Sequence, residues 1–308
     1  MSQLYYVHFK AMGCHVTAQF QSATGDAEPL AQVATKIEAI ENRLSRFRPE
    51  SELMQLNART GQWVAVSETL FAVIHAAKHA ARLTDGLYNP LMLPAMIASG
   101  YDRSFEQVEH PTPQTPVPAA DWREIGLRVR SHEVYIPSGS ALDLGGIGKG
   151  WTAAKIADDL AQYGSCIVNM GGDMAVRGAP DGLPGWEVEI EDPANGQVLA
   201  SLSLQRGAVV TSGTDYRRWQ TADGRLFHHI LNPATGLPAE TDILTATVIH
   251  PDAAIAEAYA KAVMLKGSKD GLHWLNNQWN AAGLIVLHNG EVQATSNFAQ
   301  LINEGVPS

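Results

Sequence analysis

The 308-residue sequence has only two cysteines, Cys14 and Cys166, with no C-x-x-C pair and no histidines at zinc-finger spacing. A disulfide framework and a structural zinc site are therefore excluded as sources of the fold. Long apolar runs are also missing: no stretch approaches the roughly 18 residues that a membrane span requires. The N-terminal MSQLYYVHFK has no basic segment leading into an apolar one, so the expectation is a cytoplasmic protein. Positive charge is in deficit, with 22 Lys and Arg against 32 Asp and Glu and a net charge of −10. An extended nucleic-acid surface needs a basic face that this balance does not supply, so any phosphate site must be local. With 45% hydrophobic and 18% charged residues, the chain reads as soluble and globular, and it is long enough to bury a sizeable core.

What the sequence does contain is ALDLGGIGKGW, Ala141 to Trp151, in which an acid, four glycines and a lysine precede an apolar helix pattern. Glycines let backbone N–H groups approach a ligand closely, and a helix N-terminus adds partial positive charge. A phosphate-bearing ligand suits such a stretch; so does a tight strand-to-helix turn with a solvated lysine. The run is not a phosphate loop of the Walker type, because Gly150 follows Lys149 where Ser or Thr is required, and the dinucleotide G-x-G-x-x-G order is absent. His228 and His229 are adjacent on a strand-like segment and point to opposite faces, which argues against a metal pair.

Taken in order, His15–Phe20 alternates as a strand, and Leu30, Val33, Ile37, Ile40 and Leu44 predict one amphipathic helix over 28–47. Ser67 is the expected N-cap of a second helix that ends at Asp85-Gly86. Leu87–Tyr101 is apolar but carries Pro90, Pro94 and Gly100, predicting an irregular buried segment that plugs a core or walls a pocket. The Pro-rich stretch 107–121 reads as a surface excursion rather than a linker. Further strands are expected at 133–136, 165–170, 186–190, 198–204, 208–211 and 245–250, helices at 150–163, 253–265 and 271–278, and a terminal hairpin around Asn289-Gly290. The irregular alternation predicts an α+β fold, in a single domain over 1–308.

The order of the motifs carries more than any one of them. MGC at Met12, SRFRPESELMQLN, GLYNPLMLPAMIASGY, DLGGIGKG, MGGD, TSGTDYRRW, HHILNPATGLP and AEAYAKAVMLKG together resemble the ApbE family, the FAD:protein FMN transferases, over Met12 to Gly267. The resemblance implies an α+β domain that binds FAD and, with Mg2+, moves FMN onto a Ser or Thr hydroxyl of an acceptor protein, releasing AMP. It implies as partner an acceptor flavoprotein of an electron-transfer system, while charge and the lack of long apolar runs predict no nucleic acid and no membrane span. It also implies that Asp143 and Lys149 contact the FAD, with Met12, Phe47, Pro94, Ala95, Met96, Gly171, Gly172, Ile230 and Leu231 around the same ligand. Gly146, Glu257, Ala260 and Lys261 fall at its metal site, and His229 becomes a candidate for proton handling or phosphate contact.

Two departures bear on the chemistry. The family's helix usually reads A-D-A-x-A-T-A, with Asp and Thr reaching the magnesium; here it reads Ala256-Glu257-Ala258-Tyr259-Ala260-Lys261-Ala262. Glu257 adds a methylene and Lys261 brings its own charge. Either Glu257 binds magnesium while Lys261 turns aside, or the Lys261 ammonium takes the cation's place; a third reading makes the two an exposed i,i+4 pair worth roughly 0.3–0.5 kcal/mol. The alternatives to transfer are a flavin carrier or interaction protein, and hydrolysis of FAD to FMN and AMP.

Overall fold

The computed structural model describes residues 3–300; Met1, Ser2 and residues 301–308, the two ends of the expected 1–308 domain, lie outside the described residues. The chain forms two compact units. One takes in the chain up to Ala39, Lys149–Ser212 and the segment from Asp242; the other takes in Ile40–Gly148 and Gly213–Thr241.

In the first unit eight strands build one sheet in chain order: Gln3–Ala11, Cys14–Ser22, Gly164–Met170, Asp173–Arg177, Arg206–Gly213, Ile243–His250, Ala282–Leu287 and Val292–Ala294. The first five pair antiparallel, as do the last three, in accord with the α+β expectation. A separate hairpin, Trp186–Glu191 with Val198–Leu204, shows how the pattern is read. Trp186, Val188 and Ile190 are buried and alternate with exposed Glu187, Glu189 and Glu191, the two-residue period of a strand with one dry face. That face meets Ile167, Val176, Val209, Ile249 and Leu284 of the large sheet in one core, each such side chain contributing roughly 1.5–3 kcal/mol by burial.

The helix Ala253–Asn276 packs on the strands Ile243–His250 and Ala282–Leu287. Asp252 starts it, its Oδ1 accepting from Ala254 N at 2.8 Å and Ile255 N at 3.1 Å, which satisfies two otherwise orphaned donors. Gly267, at φ 76°, interrupts it where the sequence expects. Asp242 secures the following turn by accepting from Ser268 N at 2.9 Å and Ser268 Oγ at 2.5 Å.

In the second unit the helix Glu68–Leu83 begins at Ser67 as read, with Ser67 Oγ accepting from Leu70 N at 3.3 Å. The Pro-rich stretch 107–121 lies wholly inside this unit, with Ala119 N donating to Pro233 O at 2.8 Å. A small sheet of Trp63–Ala65, Glu133–Tyr135 and Gly126–Arg128 completes it. Among the described residues no helix is long and apolar enough to cross a membrane.

Three local expectations change. The helix expected over 28–47 is two, Glu28–Ala31 and Val33–Leu44, and the chain leaves it before Pro49 because Arg46 is drawn into a buried ion pair described below. The segment Leu87–Tyr101 holds a short helix, Leu93–Ala98, since Pro94 falls in its first turn, where the missing N–H is no loss. The strand at His15–Phe20 is part of a longer hairpin whose turn, Met12-Gly13, has φ 50° and 67°, the two positive values a type I′ turn needs.

Candidate functional site

In the first unit, three elements bring four ionisable side chains together. Lys149 lies in the first turn of the helix Gly148–Ala161, Asp173 opens the strand after the MGGD turn, and Glu257 and Lys261 stand one turn apart on Ala253–Asn276. The Lys149 ammonium contacts Asp173 Oδ2 and lies 3.5 Å from Glu257 Oε1. The Lys261 ammonium lies 3.2 Å from the same Glu257 Oε1 and 3.5 Å from Ser212 Oγ. Glu257 Oε2 accepts from Gly150 N at 3.0 Å. The last glycine of the opening motif is required here, because a Cβ on Gly150 would sit 2.7 Å from Ala253 O and 3.2 Å from Glu257 Oε2. Its role is close helix approach.

Glu257 is 1% exposed and Asp173 fully buried, which excludes the exposed-pair reading of Glu257 and Lys261. Burial pushes the Asp173 carboxyl up to about 6, against the pull of Lys149. Burial also acts to raise Glu257, but Lys149, Lys261 and the Gly150 N–H together hold it below the usual carboxylate range. Lys261 is lowered, burial outweighing its attraction to Glu257. Asp173 Oδ1 is buried with no hydrogen-bond partner.

The remaining expected site residues of this unit belong to turns and helix interior. Met12 occupies the first hairpin turn. Gly171 and Gly172, at φ 65° and 98°, form the second and place Asp173 at the strand start. A Cβ on Gly171 would meet Cys14 Cβ at 2.8 Å, so the two turns abut. Ala260 is fully buried within its helix and has no side-chain donor.

The second unit fixes the DLGG loop from both sides. Asp143 Oδ2 pairs with Arg46 Nε at 3.1 Å, their side chains 8% and 6% exposed, and Asp143 Oδ1 accepts from Gly145 N at 2.7 Å. Asn57 clamps the preceding residue, donating to Leu142 O at 2.9 Å and accepting from Leu142 N at 2.8 Å. Arg46 also donates to Tyr101 O at 2.7 Å, and its guanidinium lies 4.1 Å over the Phe47 ring and 4.4 Å over the Tyr101 ring. Such stacking suits arginine, whose planar charge is weakly hydrated. Gly146 lies in the turn after Asp143, half-buried.

Ala95, Met96 and Leu231 meet in one apolar cluster with Met92 and Ala119, so the structure joins the LPAM segment to the HHIL segment. Pro94 is half-buried beside them and Ile230 is buried. His229 is half-buried, its N–H donating to Arg217 O at 3.2 Å. His228 Nδ1 accepts from Ile230 N at 3.3 Å and Nε2 faces Ala239 O at 3.2 Å, so its ring is engaged locally.

Sequence reasoning passed over Arg46, Asp173 and Ser212. Each lies inside a motif it had singled out, SRFRP, MGGD and TSG, and each is a polar residue beside glycine, aromatic or proline punctuation.

The model of the ApbE family matches residues 12–285. The FAD:protein FMN transferase of Treponema pallidum is 30% identical over 295 residues, covering 89% of this chain and 81% of that protein. The enzyme of the same name from Klebsiella pneumoniae is 29% identical over 86% of this chain and 84% of its own length. Among solved structures, the ApbE protein of Thermotoga maritima superposes with a TM-score of 0.86 at 26% identity, covering 98% of this chain and all of that one. The apo flavinyl transferase ApbE of Pseudomonas stutzeri shares the fold, with a TM-score of 0.82 at 22% identity over 100% of this chain and 98% of that one.

Proposed function

The chain belongs to the ApbE family, and from that membership we propose that it is an FAD:protein FMN transferase. The acceptor is a Ser or Thr hydroxyl on a flavoprotein of an electron-transfer system. The hydroxyl oxygen attacks the phosphorus on the FMN side of the FAD pyrophosphate. The bond from that phosphorus to the bridging oxygen breaks, its electron pair leaves with AMP, and the hydroxyl proton passes to a base, for which His229 is the candidate.

This reaction is carried by charge stabilisation at the phosphate oxygens rather than by a covalent enzyme intermediate. The single observation that supports it is the pair of ammonium groups, Lys149 and Lys261, gathered at Glu257 within 3.5 Å. Phe47, 39% exposed above Arg46, is proposed as a flavin contact, with Met12, Pro94, Ala95, Met96, Ile230 and Leu231 as further contacts. Asp143 acts by holding its loop on Arg46 rather than as a free ligand carboxylate.

The donors around Glu257 do not fit the magnesium ion that the resemblance implies. Both of its oxygens are engaged, and of the cluster's carboxylate oxygens only the buried Asp173 Oδ1 has no partner. Magnesium is usually held by one or two carboxylates besides waters and substrate phosphates, and both carboxylates here already carry an ammonium group. At about 4 Å and an effective dielectric of about 20, a divalent ion would repel each ammonium by roughly 8 kcal/mol.

The test is to incubate the chain with FAD and a flavodoxin-like acceptor domain. The expected result is flavin fluorescence that stays with the acceptor through a denaturing gel, with AMP in solution. AMP without labelled acceptor would make the chain a hydrolase. FAD affinity with no AMP under any condition would make it a flavin-binding protein.

A further inference from the structure

The cluster at Glu257 has the charge inventory of a cation site that is already filled. Lys261 reaches Glu257 Oε1 at 3.2 Å and Ser212 Oγ at 3.5 Å, and Lys149 reaches the same Oε1 at 3.5 Å. Two ammonium groups carry the formal charge of one divalent ion. Each also brings N–H donors that a metal lacks. Glu257 cannot swing away to receive a metal, because its Oε2 is pinned to Gly150 N at 3.0 Å and its side chain is 1% exposed.

Lys261 is not merely a buried counter-ion for Glu257. Asp173 Oδ2 already meets Lys149, and Glu257 Oε1 lies between the two ammonium groups rather than on one of them. Both carboxylates are buried beneath the ammonium groups, while 16% of the Lys261 side chain and 16% of Lys149 remain exposed, so the open side of the cluster is cationic. Two partly open ammonium groups over two buried carboxylates, Asp173 and Glu257, form a seat for a diphosphate.

We infer that Lys261, with Lys149, is a built-in cation for the substrate diphosphate, so that this chain binds FAD and transfers FMN without a divalent metal ion. The inference rests on the transferase reading above. In the step, the Lys261 and Lys149 N–H groups donate to non-bridging pyrophosphate oxygens as the acceptor oxygen bonds to phosphorus. Charge that builds on the departing AMP phosphate is met by the same groups, and no oxidant, reductant or metal enters the balance.

The experiment has two arms. In the first, Mn2+ is titrated into the FAD-loaded protein and the free-ion signal is followed by electron paramagnetic resonance. The wild type is expected to match FAD alone, whereas Lys261→Thr takes up one ion. Stoichiometric Mn2+ uptake by the wild type, lost in Glu257→Gln, would overturn the inference. In the second arm, AMP release with FAD and acceptor is compared in EDTA and in Mg2+.

The wild type is expected to run equally in both, and Lys261→Met to fall by about a hundredfold in EDTA, the scale of one lost transition-state donor. Lys261→Arg should recover part of that loss. AMP release by the wild type only with Mg2+ sinks the built-in cation and leaves the transferase standing. No AMP in either buffer sinks the transferase itself. The Mn2+ arm on the wild type needs no variant to fold.

Discussion

Lys261 and Glu257 stand one helical turn apart, and the lysine ammonium lies 3.2 Å from a carboxylate oxygen that Lys149, on another helix, approaches at 3.5 Å. The pair is a buried junction between two helices rather than a solvated i,i+4 pair. Its energetics follow the rule for buried ions, in which removing one partner costs more than the intact pair contributes.

Glu257→Gln is therefore expected to destabilise the protein by about 3 kcal/mol, since it leaves two ammonium groups sharing the Asp173 charge alone. Urea unfolding at neutral pH, with the slope unchanged, measures it. A loss within experimental error would mean that Glu257 is solvated in solution.

Arg46→Lys should behave much like Arg46→Ala. One guanidinium serves the Asp143 carboxylate, the Tyr101 carbonyl and two aromatic faces, and an ammonium cannot span them. Both variants are expected to lower the thermal midpoint and to weaken FAD affinity, read by flavin fluorescence. Lysine restoring both would contradict the stacked geometry.

Acid sensitivity has a defined source in His250. Burial holds its pKa below 6.5, and its Nδ1 accepts from Asp252 N at 2.9 Å at the start of the helix that carries Glu257 and Lys261. The fold favours the neutral ring, so this contribution is complete above pH 6.5 and is lost as pH falls through the lower, folded value. Urea midpoints at pH 8 and pH 5 should differ less in His250→Asn, whose Oδ1 keeps the acceptor, than in the wild type.

Thiol chemistry should separate the two cysteines. Burial pushes the Cys166 thiol up to about 12, while Cys14 is half-buried, so a disulfide reagent at pH 8 should label one thiol in the folded protein and two in urea. Two fast thiols in the native state would contradict the packing around Cys166.

Much of the fold was legible because its strands and helices obey their periods. Trp186, Val188 and Ile190 alternate with glutamates, Ser67 caps its helix, and Gly267 breaks its helix. Misses came from long-range demands. Nothing local says that Arg46 must leave its helix for Asp143, or that a methionine, Met12, takes a positive φ to close a hairpin. The site was half legible. Glu257 and Lys261 stood out as departures from the helix motif of the family the sequence resembles, but a motif cannot bring Lys149 and Asp173 to them, because those pairings depend on how hairpins and helices meet in space.

FMN transfer without a divalent ion leaves a covalent mark, which intact-mass spectrometry of the acceptor reads. The acceptor is incubated with the chain and FAD in EDTA, with a sample lacking the chain as control. The expected result is a mass gain of one FMN less one water, at a single Ser or Thr, with an equal amount of AMP. An unmodified acceptor in EDTA that becomes modified when Mg2+ is added would contradict it.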